Sequence, residues 1–248
     1  MHYIGSMGWS YNHWSGNFYS YNAKPGEYLS EYSRQFNSVE INSTFYRIPS
    51  RNTVQNWKKQ TPNGFKFAVK MPQSITHVSR MGGEERKLEI FLEVISILRS
   101  KLGPILIQFP RSFKEDRYRE LIRFLSTLPD SHRYSVEFRD RSWFKEEVYR
   151  SLREANVSLV LVDHPWLPEL DVHTADFTYI RWQGDRKKVD GEKGLVELDK
   201  GEEYSHWAEK LVEYHNIGDV YGYFSKFFSG HPPTDIRILN SSISSALS

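Results

Sequence analysis

The sequence predicts a TIM-type (β/α)₈ barrel, a closed ring of parallel strands surrounded by helices, that occupies residues 1–248 as one domain. Short β-branched or apolar runs of strand length recur about once per βα unit of roughly 30 residues. Segments with helical periodicity separate these runs, and this alternation is typical of parallel sheets. Eight such units are present, and no Gly-x-Gly-x-x-Gly or Walker motif follows any of them. These observations favour a closed barrel over an open doubly wound sheet.

The eight predicted strands follow one another along the whole chain. Val, Ile, Phe and Tyr, which favour strands, make up much of these runs. The predicted strands are Tyr3–Ser6, Ser38–Asn42, Lys66–Lys70, Pro104–Phe109, Tyr134–Arg139, Ser158–Asp163, Phe177–Gln183 and Asp219–Phe224.

Periodic apolar residues predict helices between the strands. The two clearest stripes run from Leu88 to Leu98 and from Tyr118 to Leu128, where apolar residues recur at the i, i+3, i+4, i+7 spacing. Further helices are predicted after the N-cap Ser50, over Lys145–Ala155, over Tyr204–Val212 and after Pro232-Pro233, where proline suits a first turn.

Two segments depart from the regular alternation. Asp163–Asp176 contains Pro165 and Pro168 and is too short for a full helix, so we expect the sixth crossover to be irregular. The segment from Gly8 to Pro25 has no periodicity and is rich in tryptophan and tyrosine. Long loops of this kind in a compact domain are often functional.

Composition and charge exclude several functional classes. The chain has no cysteine, which rules out disulfides, thiolate nucleophiles, iron–sulfur clusters and cysteine-ligated zinc. Its 33 Lys and Arg nearly balance its 31 Asp and Glu, so no whole-protein field attracts nucleic acid or anionic lipid. No run of about 18 apolar residues is present to span a bilayer. The N-terminal segment lacks signal-peptide features, and we expect a cytoplasmic protein with no membrane association.

Strand parity predicts a polar pocket at one end of the barrel. Alternate side chains of a barrel strand point inward, and sites form at the carboxyl ends of the strands. Because the outer face of each strand must meet helices, we expect the apolar set to point outward and the polar set inward. The polar residues that this rule or a strand end brings to the mouth are Glu40, Asn42, Lys70, Gln108, Glu137, Arg139, Asp163 and Arg181.

These residue types suit acid/base or hydrolytic chemistry on a small hydroxylated or phosphorylated molecule without a metal or cofactor. The predicted catalytic residues are Glu137 as general base or acid, Lys70, which with Arg181 stabilises negative charge, and Asp163. The predicted ligand-binding residues are Trp9, Tyr11, Glu40, Asn42, His77, Gln108, Arg139 and Arg181, with Arg139 also orienting Glu137.

Each of these interpretations has a structural alternative. Glu137 and Arg139 also suit an internal ion pair that ties the barrel together. Lys70 would be held cationic by Glu40 or Glu137, or left neutral and nucleophilic if it has no partner, and this distinction separates a scaffold lysine from a Schiff-base lysine. With Asp163 included, three acids face three bases, which favours a neutral or singly anionic ligand.

Two other functions are compatible with the sequence. A metal-dependent hydrolase or isomerase would draw ligands from His13, His77, His164 and His231 together with the pocket carboxylates, although no His-x-His or His-Glu-x-x-His spacing is present. A nucleic-acid-binding protein would use the aromatic loop and the basic runs Arg186-Lys187-Lys188 and Lys58-Lys59 with Arg51. We do not favour either over an enzyme with a small polar or anionic ligand.

Motifs spread along the chain resemble those of a known family. They are Gly8-Trp9-Ser10-Tyr11 with Trp14, Val39 to Tyr46, Phe67 to Lys70, Ile75-Thr76-His77, Gly103 to Pro110, Val136 to Arg139 with Ser142-Trp143-Phe144, and Asp163-His164-Pro165. In this order and over nearly the whole chain they resemble the YecE-like family, also called domain of unknown function 72. The resemblance implies a TIM-barrel-type fold, in agreement with the independent count of βα units. It implies no reaction and therefore assigns no catalytic residue.

Overall fold

The structure is a computed structural model that describes residues 1–78 and 83–247. Eight strands form one sheet in which every hydrogen-bonded pair is parallel, in the order β1-β8-β7-β6-β5-β4-β3-β2. The strands are β1 His2–Ser6, β2 Ser38–Ile41, β3 Lys66–Lys70, β4 Leu102–Gln108, β5 Tyr134–Glu137, β6 Val157–Asp163, β7 Phe177–Trp182 and β8 Asp219–Phe224. The predicted TIM-type barrel is confirmed, and each predicted strand lies within two residues of an observed one.

The first and second strands meet to make the ring nearly closed. A parallel bridge joins Met7 to Glu40 just beyond β1. Below this bridge the Tyr32 hydroxyl lies between the two strands, where it accepts from the Ser6 amide at 2.9 Å and donates to the Ser38 carbonyl at 3.0 Å. A side-chain hydroxyl thus satisfies main-chain groups that a continuous ladder would otherwise pair.

Helices lie between most of the strands. They are α1 Tyr28–Gln35, α2 Arg51–Gln60, α3 Gln73–Thr76, α4 Glu85–Ile95, α5 Tyr118–Leu125, α6 Glu146–Glu154, α7 Gly201–Tyr214 and α8 Pro232–Ala246. Ser50 caps α2 as predicted, since its hydroxyl accepts from the Thr53 amide at 3.1 Å. The stripe predicted as one helix from Leu88 to Leu98 is instead α4 followed by a 3₁₀ segment, Ser96–Lys101.

The two irregular segments fall where the sequence predicts them. Asp163–Asp176 contains no helix and leads directly into β7. The aromatic segment after β1 contains a single 3₁₀ turn, Asn12–Trp14, before α1. Both segments lie at the carboxyl ends of their strands, which is the end of a barrel where function is found.

The barrel lumen is filled below its mouth. Alternate side chains of the strands form a buried cluster made of Ala68, Leu106, Val160, Val162, Phe177, Tyr179, Tyr221 and Tyr223. A larger apolar cluster lies between the strands and the helices. The lumen is therefore a packed core with a closed floor, so polar groups above it face one opening. Within the described ranges, no helix has both the length and the apolar character needed to cross a bilayer.

Candidate functional site

Arg181, near the carboxyl end of β7, connects three strands across the lumen. Its Nε and Nη2 donate to the two carboxylate oxygens of Glu40 on β2, at 3.0 and 2.9 Å. Its Nη1 donates to Oε2 of Glu137 on β5. The side chain of Arg181 is 4% exposed and the two carboxylates are fully buried. Such burial is tolerated because each charge is paired and hydrogen-bonded.

Further side chains join this group to form what we call the mouth cluster. Its members are Glu40, Lys70, Gln108, Glu137, Arg139 and Arg181. They come from β2, β3, β4, the end of β5, and β7. Strand parity therefore brings together side chains from five strands, as the sequence predicts for these six residues.

Glu137 is held as a carboxylate by its neighbours. Its Oε1 accepts from Gln108 Nε2 and from Arg139 Nε, both at 2.8 Å, while Oε2 accepts from Arg181. Burial alone would raise the pKa of this carboxyl, but the Arg181 and Arg139 cations outweigh it and lower the pKa to about 2. Glu137 is therefore ionised and a weak base at neutral pH.

Glu40 is also fully occupied. Besides Arg181, its Oε1 accepts from Asn42 Nδ2 at 2.7 Å and its Oε2 accepts from the Tyr179 hydroxyl at 2.8 Å. Each oxygen thus accepts two hydrogen bonds, so Glu40 has little capacity left for a ligand hydroxyl. Its main effect is to fix Arg181 and Asn42 in position.

Lys70 differs from the other charged members of the mouth cluster. Its Nζ donates to Gln108 Oε1 at 2.9 Å and lies 3.9 Å from the centroid of the Phe45 ring. Among the described residues no carboxylate forms an ion pair with it, although the residue is only 8% exposed. Burial and the nearby Arg181 cation lower the pKa of this amine to about 8. Lys70 is therefore an amine that exchanges its proton near neutral pH.

Asp163 lies outside the mouth cluster, contrary to the prediction that it shares the pocket. Val160 and Val162 point into the lumen, so Asp163, the next residue along β6, points outward. Its Oδ2 accepts from Trp207 Nε1 on α7 at 3.4 Å, and it lines a separate cavity of about 370 Å³. Burial and the Glu203 charge raise the pKa of this carboxyl.

Without Asp163 the charge balance of the mouth changes. Two carboxylates, Glu40 and Glu137, now face three basic side chains, Lys70, Arg139 and Arg181. The cluster therefore carries one excess positive charge when Lys70 is protonated. This excess favours an anionic ligand over the neutral one that an equal balance would also admit.

Two side chains of the aromatic loop, Tyr11 and Trp9, have different neighbours. The Tyr11 hydroxyl donates to the Met7 carbonyl at 2.6 Å, and the Met7 sulfur accepts from Arg181 Nη2 at 3.3 Å. Burial and the Glu40 charge raise the pKa of Tyr11 to about 12. Trp9 instead packs edge-on against Trp57 of α2, with ring centroids 5.9 Å apart. The structure thus links Tyr11 to the cluster through Met7 and links Trp9 to α2.

His77 follows β3 on the Lys70 side of the mouth. Its ring lies edge-on to Phe45 at 5.0 Å, and its Nδ1 lies 2.8 Å from the Thr76 hydroxyl. Phe45 therefore contacts both His77 and Lys70. His77 is exposed, and its role as a ligand-binding residue stays a prediction.

A small cavity, the rim cavity, opens beside Glu137. Its volume is about 60 Å³, and its lining residues are Arg111, Glu137, Arg139, Val162, His164, Trp166 and Leu167. Trp166 is 48% exposed, with Arg111 and Lys187 at 5.7 and 5.4 Å from its ring. The rim cavity combines open space with several hydrogen-bond donors.

Sequence reasoning did not single out several of these residues. Tyr179 obeys the same parity as Arg181, so its place beneath Glu40 follows from the pattern already used. Phe45, Arg111 and Trp166 lie beyond strand ends, where parity no longer fixes direction. The one sequence signal for them is position, since each follows the carboxyl end of a strand.

Within the described residues, the loop histidines and the mouth carboxylates form no group that could hold a metal ion. Over residues 1–78 and 83–247, no three or more His, Cys, Asp or Glu side chains are grouped in a way that could hold a metal ion. His13 Nδ1 lies 3.4 Å from Glu192, and His231 Nδ1 lies 2.8 Å from the Thr234 hydroxyl. The described part of the chain therefore offers no ligand set for a metal-dependent hydrolase.

Comparison with known proteins shows the same family along the whole chain. A family model described as "Protein of unknown function DUF72" matches residues 3–246. The UPF0759 protein YecE of Escherichia coli K12 is 31% identical over 169 residues, which cover 66% of this chain and 59% of YecE. The chain thus matches less than two thirds of that relative's length. The UPF0759 protein YunF of Bacillus subtilis 168 is 31% identical over 86% of this chain and 84% of YunF.

Solved structures give the same result. A DUF72 family protein from Thermotoga maritima MSB8 is 30% identical, with a TM-score of 0.82 over 100% of this chain and 99% of that one. A DUF72 family protein from Enterococcus faecalis V583 is 20% identical, with a TM-score of 0.73 over 100% of this chain and 97% of that one. The second likeness shows the fold alone.

Proposed function

We propose that this chain, which belongs to the DUF72 family, is an enzyme that performs metal-independent acid/base or hydrolytic chemistry on a small hydroxylated or phosphorylated molecule in the mouth of its TIM barrel. The observation that supports this most is Lys70. A buried amine without a carboxylate partner costs stability, and such groups are concentrated at functional sites. A pKa of about 8 suits proton transfer near neutral pH.

The proposal assigns proton transfer to Lys70 and supporting roles to its neighbours. Gln108 accepts from Lys70 and donates to Glu137, so the amide is held with its oxygen toward the amine. Glu137 is a poor general base with a pKa of about 2, and we now assign it the role of orienting Gln108 and Arg139. Arg139, whose side chain is 34% exposed, faces the ligand and stabilises its negative charge.

The titration of Lys70 tests the proposal without a known substrate. Trace acetylation of the folded protein over a pH series, read by peptide mass spectrometry, should show Lys70 reacting with a midpoint near pH 8. The exposed Lys59 of α2, read in the same spectra, serves as the matched control. A Lys70 midpoint as high as that of Lys59 would remove the basis of the assignment.

A substrate screen tests the reaction itself. Sugar phosphates and hydroxy acids are incubated with the protein, and any turnover found is measured for Lys70→Met and Lys70→Arg. Both variants should lose about 10²-fold or more, the usual contribution of a positioned acid or base, because neither can exchange a proton near pH 8. Turnover that survives in Lys70→Met would contradict the proposed role.

Nucleic-acid binding without catalysis is the second candidate. Lys187 lies 5.4 Å from the exposed Trp166 ring at the same end of the barrel, and Arg186 lies 5.2 Å from Phe227. Aromatic rings with adjacent cations suit a single strand. Retention on oligonucleotides that falls steeply between about 50 and 200 mM salt would support this function, and insensitivity to salt would count against it.

A further inference from the structure

We infer that the rim cavity binds the phosphate group of a small phosphate monoester through Arg111, Arg139 and His164. The inference rests on the proposed function and assigns its ligand to one chemical class. It is supported by the polar groups that line the cavity and by the size of the cavity. It is also supported by the residues at the start of α8, a place where TIM barrels commonly bind phosphate.

The two arginines present unused donors to the cavity. Arg139 donates to Glu137 through Nε, and its Nη atoms make no hydrogen bond within the described ranges. Arg111, on the loop after β4, is exposed and makes no ion pair with another described residue. Guanidinium groups in this state are suited to oxyanions, since their fork of N–H groups matches adjacent oxygens.

His164 adds a third donor because its neighbour fixes its tautomer. The Trp166 amide donates to His164 Nδ1 at 3.2 Å. A main-chain N–H can only donate, so Nδ1 is the unprotonated nitrogen and Nε2 carries the proton of the neutral ring. Burial and the Arg139 cation lower the pKa of His164, which keeps this neutral form at pH 7.

The one acidic group that lines the cavity does not oppose an anion. Both Glu137 oxygens already accept hydrogen bonds from Gln108, Arg139 and Arg181. The cavity therefore offers several donors, and its one carboxylate is already paired with two arginines. Its volume of about 60 Å³ has room for one small oxyanion but not for a whole sugar, which would extend over the exposed face of Trp166.

Charge favours phosphate over carboxylate. The mouth cluster carries one excess positive charge when Lys70 is protonated, and Arg111 adds a second, while a phosphate monoester carries about −1.5 to −2 charges at pH 7. A carboxylate would neutralise only one of these two charges. A monoester also offers three oxygens, enough for two arginines and the His164 Nε2–H.

TIM barrels commonly bind phosphate at one particular place in the mouth, and that place is not suited to phosphate here. That site uses the loops after the seventh and eighth strands and a helix N-terminus. In this chain α8 begins with Pro232 and Pro233, which have no N–H to donate, and the fully buried Asp235 lies in its first turn. A phosphate-bearing ligand is therefore left with side-chain donors, such as those that line the rim cavity.

Calorimetric titration with ribose 5-phosphate tests the inference, with ribose as the uncharged control. We expect binding of ribose 5-phosphate and of inorganic phosphate but not of ribose. Arg111→Met and Arg139→Met should each weaken ribose 5-phosphate by about 10- to 100-fold, the usual loss for a charge-assisted contact. The matched control is Arg34→Met on α1, which removes an exposed arginine and should bind like the wild type.

Three outcomes would overturn the inference. They are no binding of either phosphate by the wild type, unchanged affinity in Arg111→Met, and tighter binding of a short oligothymidylate that is lost equally in Arg111→Met, which would indicate a diester. Arg111→Met is the deciding variant, because removal of this side chain breaks no described hydrogen bond and the protein should still fold. The proposed function is tested separately: it fails if Lys70 titrates like an ordinary lysine.

Discussion

Two lysines in this barrel are almost equally buried but have very different surroundings. Lys70 at the mouth is 8% exposed and Lys101, just before β4, is 7% exposed. The Lys101 ammonium donates to the Lys58 carbonyl, the Thr61 carbonyl and the Thr61 hydroxyl, at 2.7, 2.6 and 3.1 Å. It therefore uses all three N–H groups to satisfy the carboxyl end of α2.

Lys70 has one hydrogen-bond acceptor and an aromatic ring. Burial alone does not separate a functional lysine from a structural one, since both residues have it. The separating property is whether the charge is satisfied. Lys101 completes a helix end, whereas Lys70 keeps an excess charge in a cluster whose carboxylates are already paired with arginines.

The largest effect expected from this comparison is on stability. Lys101→Met should lower the free energy of unfolding by about 3 kcal/mol, because it leaves buried carbonyl groups without donors. Lys70→Met should change it by less than about 1 kcal/mol, since the lost hydrogen bond is offset by removal of a desolvated charge. Urea unfolding at pH 7 measures both, with the exposed Lys59→Met as control. Equal losses in the two variants would break the comparison.

The next effect is the pH dependence of stability. The folded pKa of Lys70 is about 8, against 10.5 for an ordinary lysine, so between these values the unfolded chain binds more protons than the folded one. Stability therefore rises with pH across this window, and the cost of burying the charge is present in full below pH 8. Relative to Lys70→Met, the wild type should gain about 2 kcal/mol between about pH 7.5 and 9.5.

Urea midpoints of the two proteins, measured at both pH values, give this difference. Other titrating groups, including the buried tyrosines, contribute equally to both proteins and cancel. A difference that does not change with pH would mean that Lys70 keeps its proton throughout, as a scaffold lysine would.

Strand parity predicted most of the mouth because most strands are polar on one face and apolar on the other. On β2, β5 and β7 this contrast assigns Glu40, Glu137 and Arg181 to the lumen, and the structure places them there. On β6 the contrast fails, since Val160 and Val162 point inward while Leu159 and Leu161 point outward. A strand that is apolar on both faces does not reveal which way its last residue points.

Other features depend on three-dimensional contacts that sequence does not encode locally. The sequence leaves open whether Lys70 pairs with Glu40 or Glu137, because the answer depends on which cations the fold places beside each carboxylate. Arg181 and Arg139 occupy those oxygens, and Lys70 is left with Gln108. The rim cavity likewise depends on loop conformations after β4 and β6, which parity does not govern.

The smallest expected effect is a shift in the acetylation midpoint of Lys70. It tests whether Asp163 lies outside the mouth cluster. Arg139 lowers and Glu137 raises the pKa of Lys70 across the mouth cluster. Arg139→Met should therefore raise the Lys70 acetylation midpoint, and Glu137→Gln should lower it, each by about one pH unit. Asp163→Asn should shift it by less than about 0.2 units, because Asp163 faces α7 on the other side of β6. The exposed Lys59 serves as the internal reference in the same spectra. A shift in Asp163→Asn as large as that in Glu137→Gln would place Asp163 in the mouth after all.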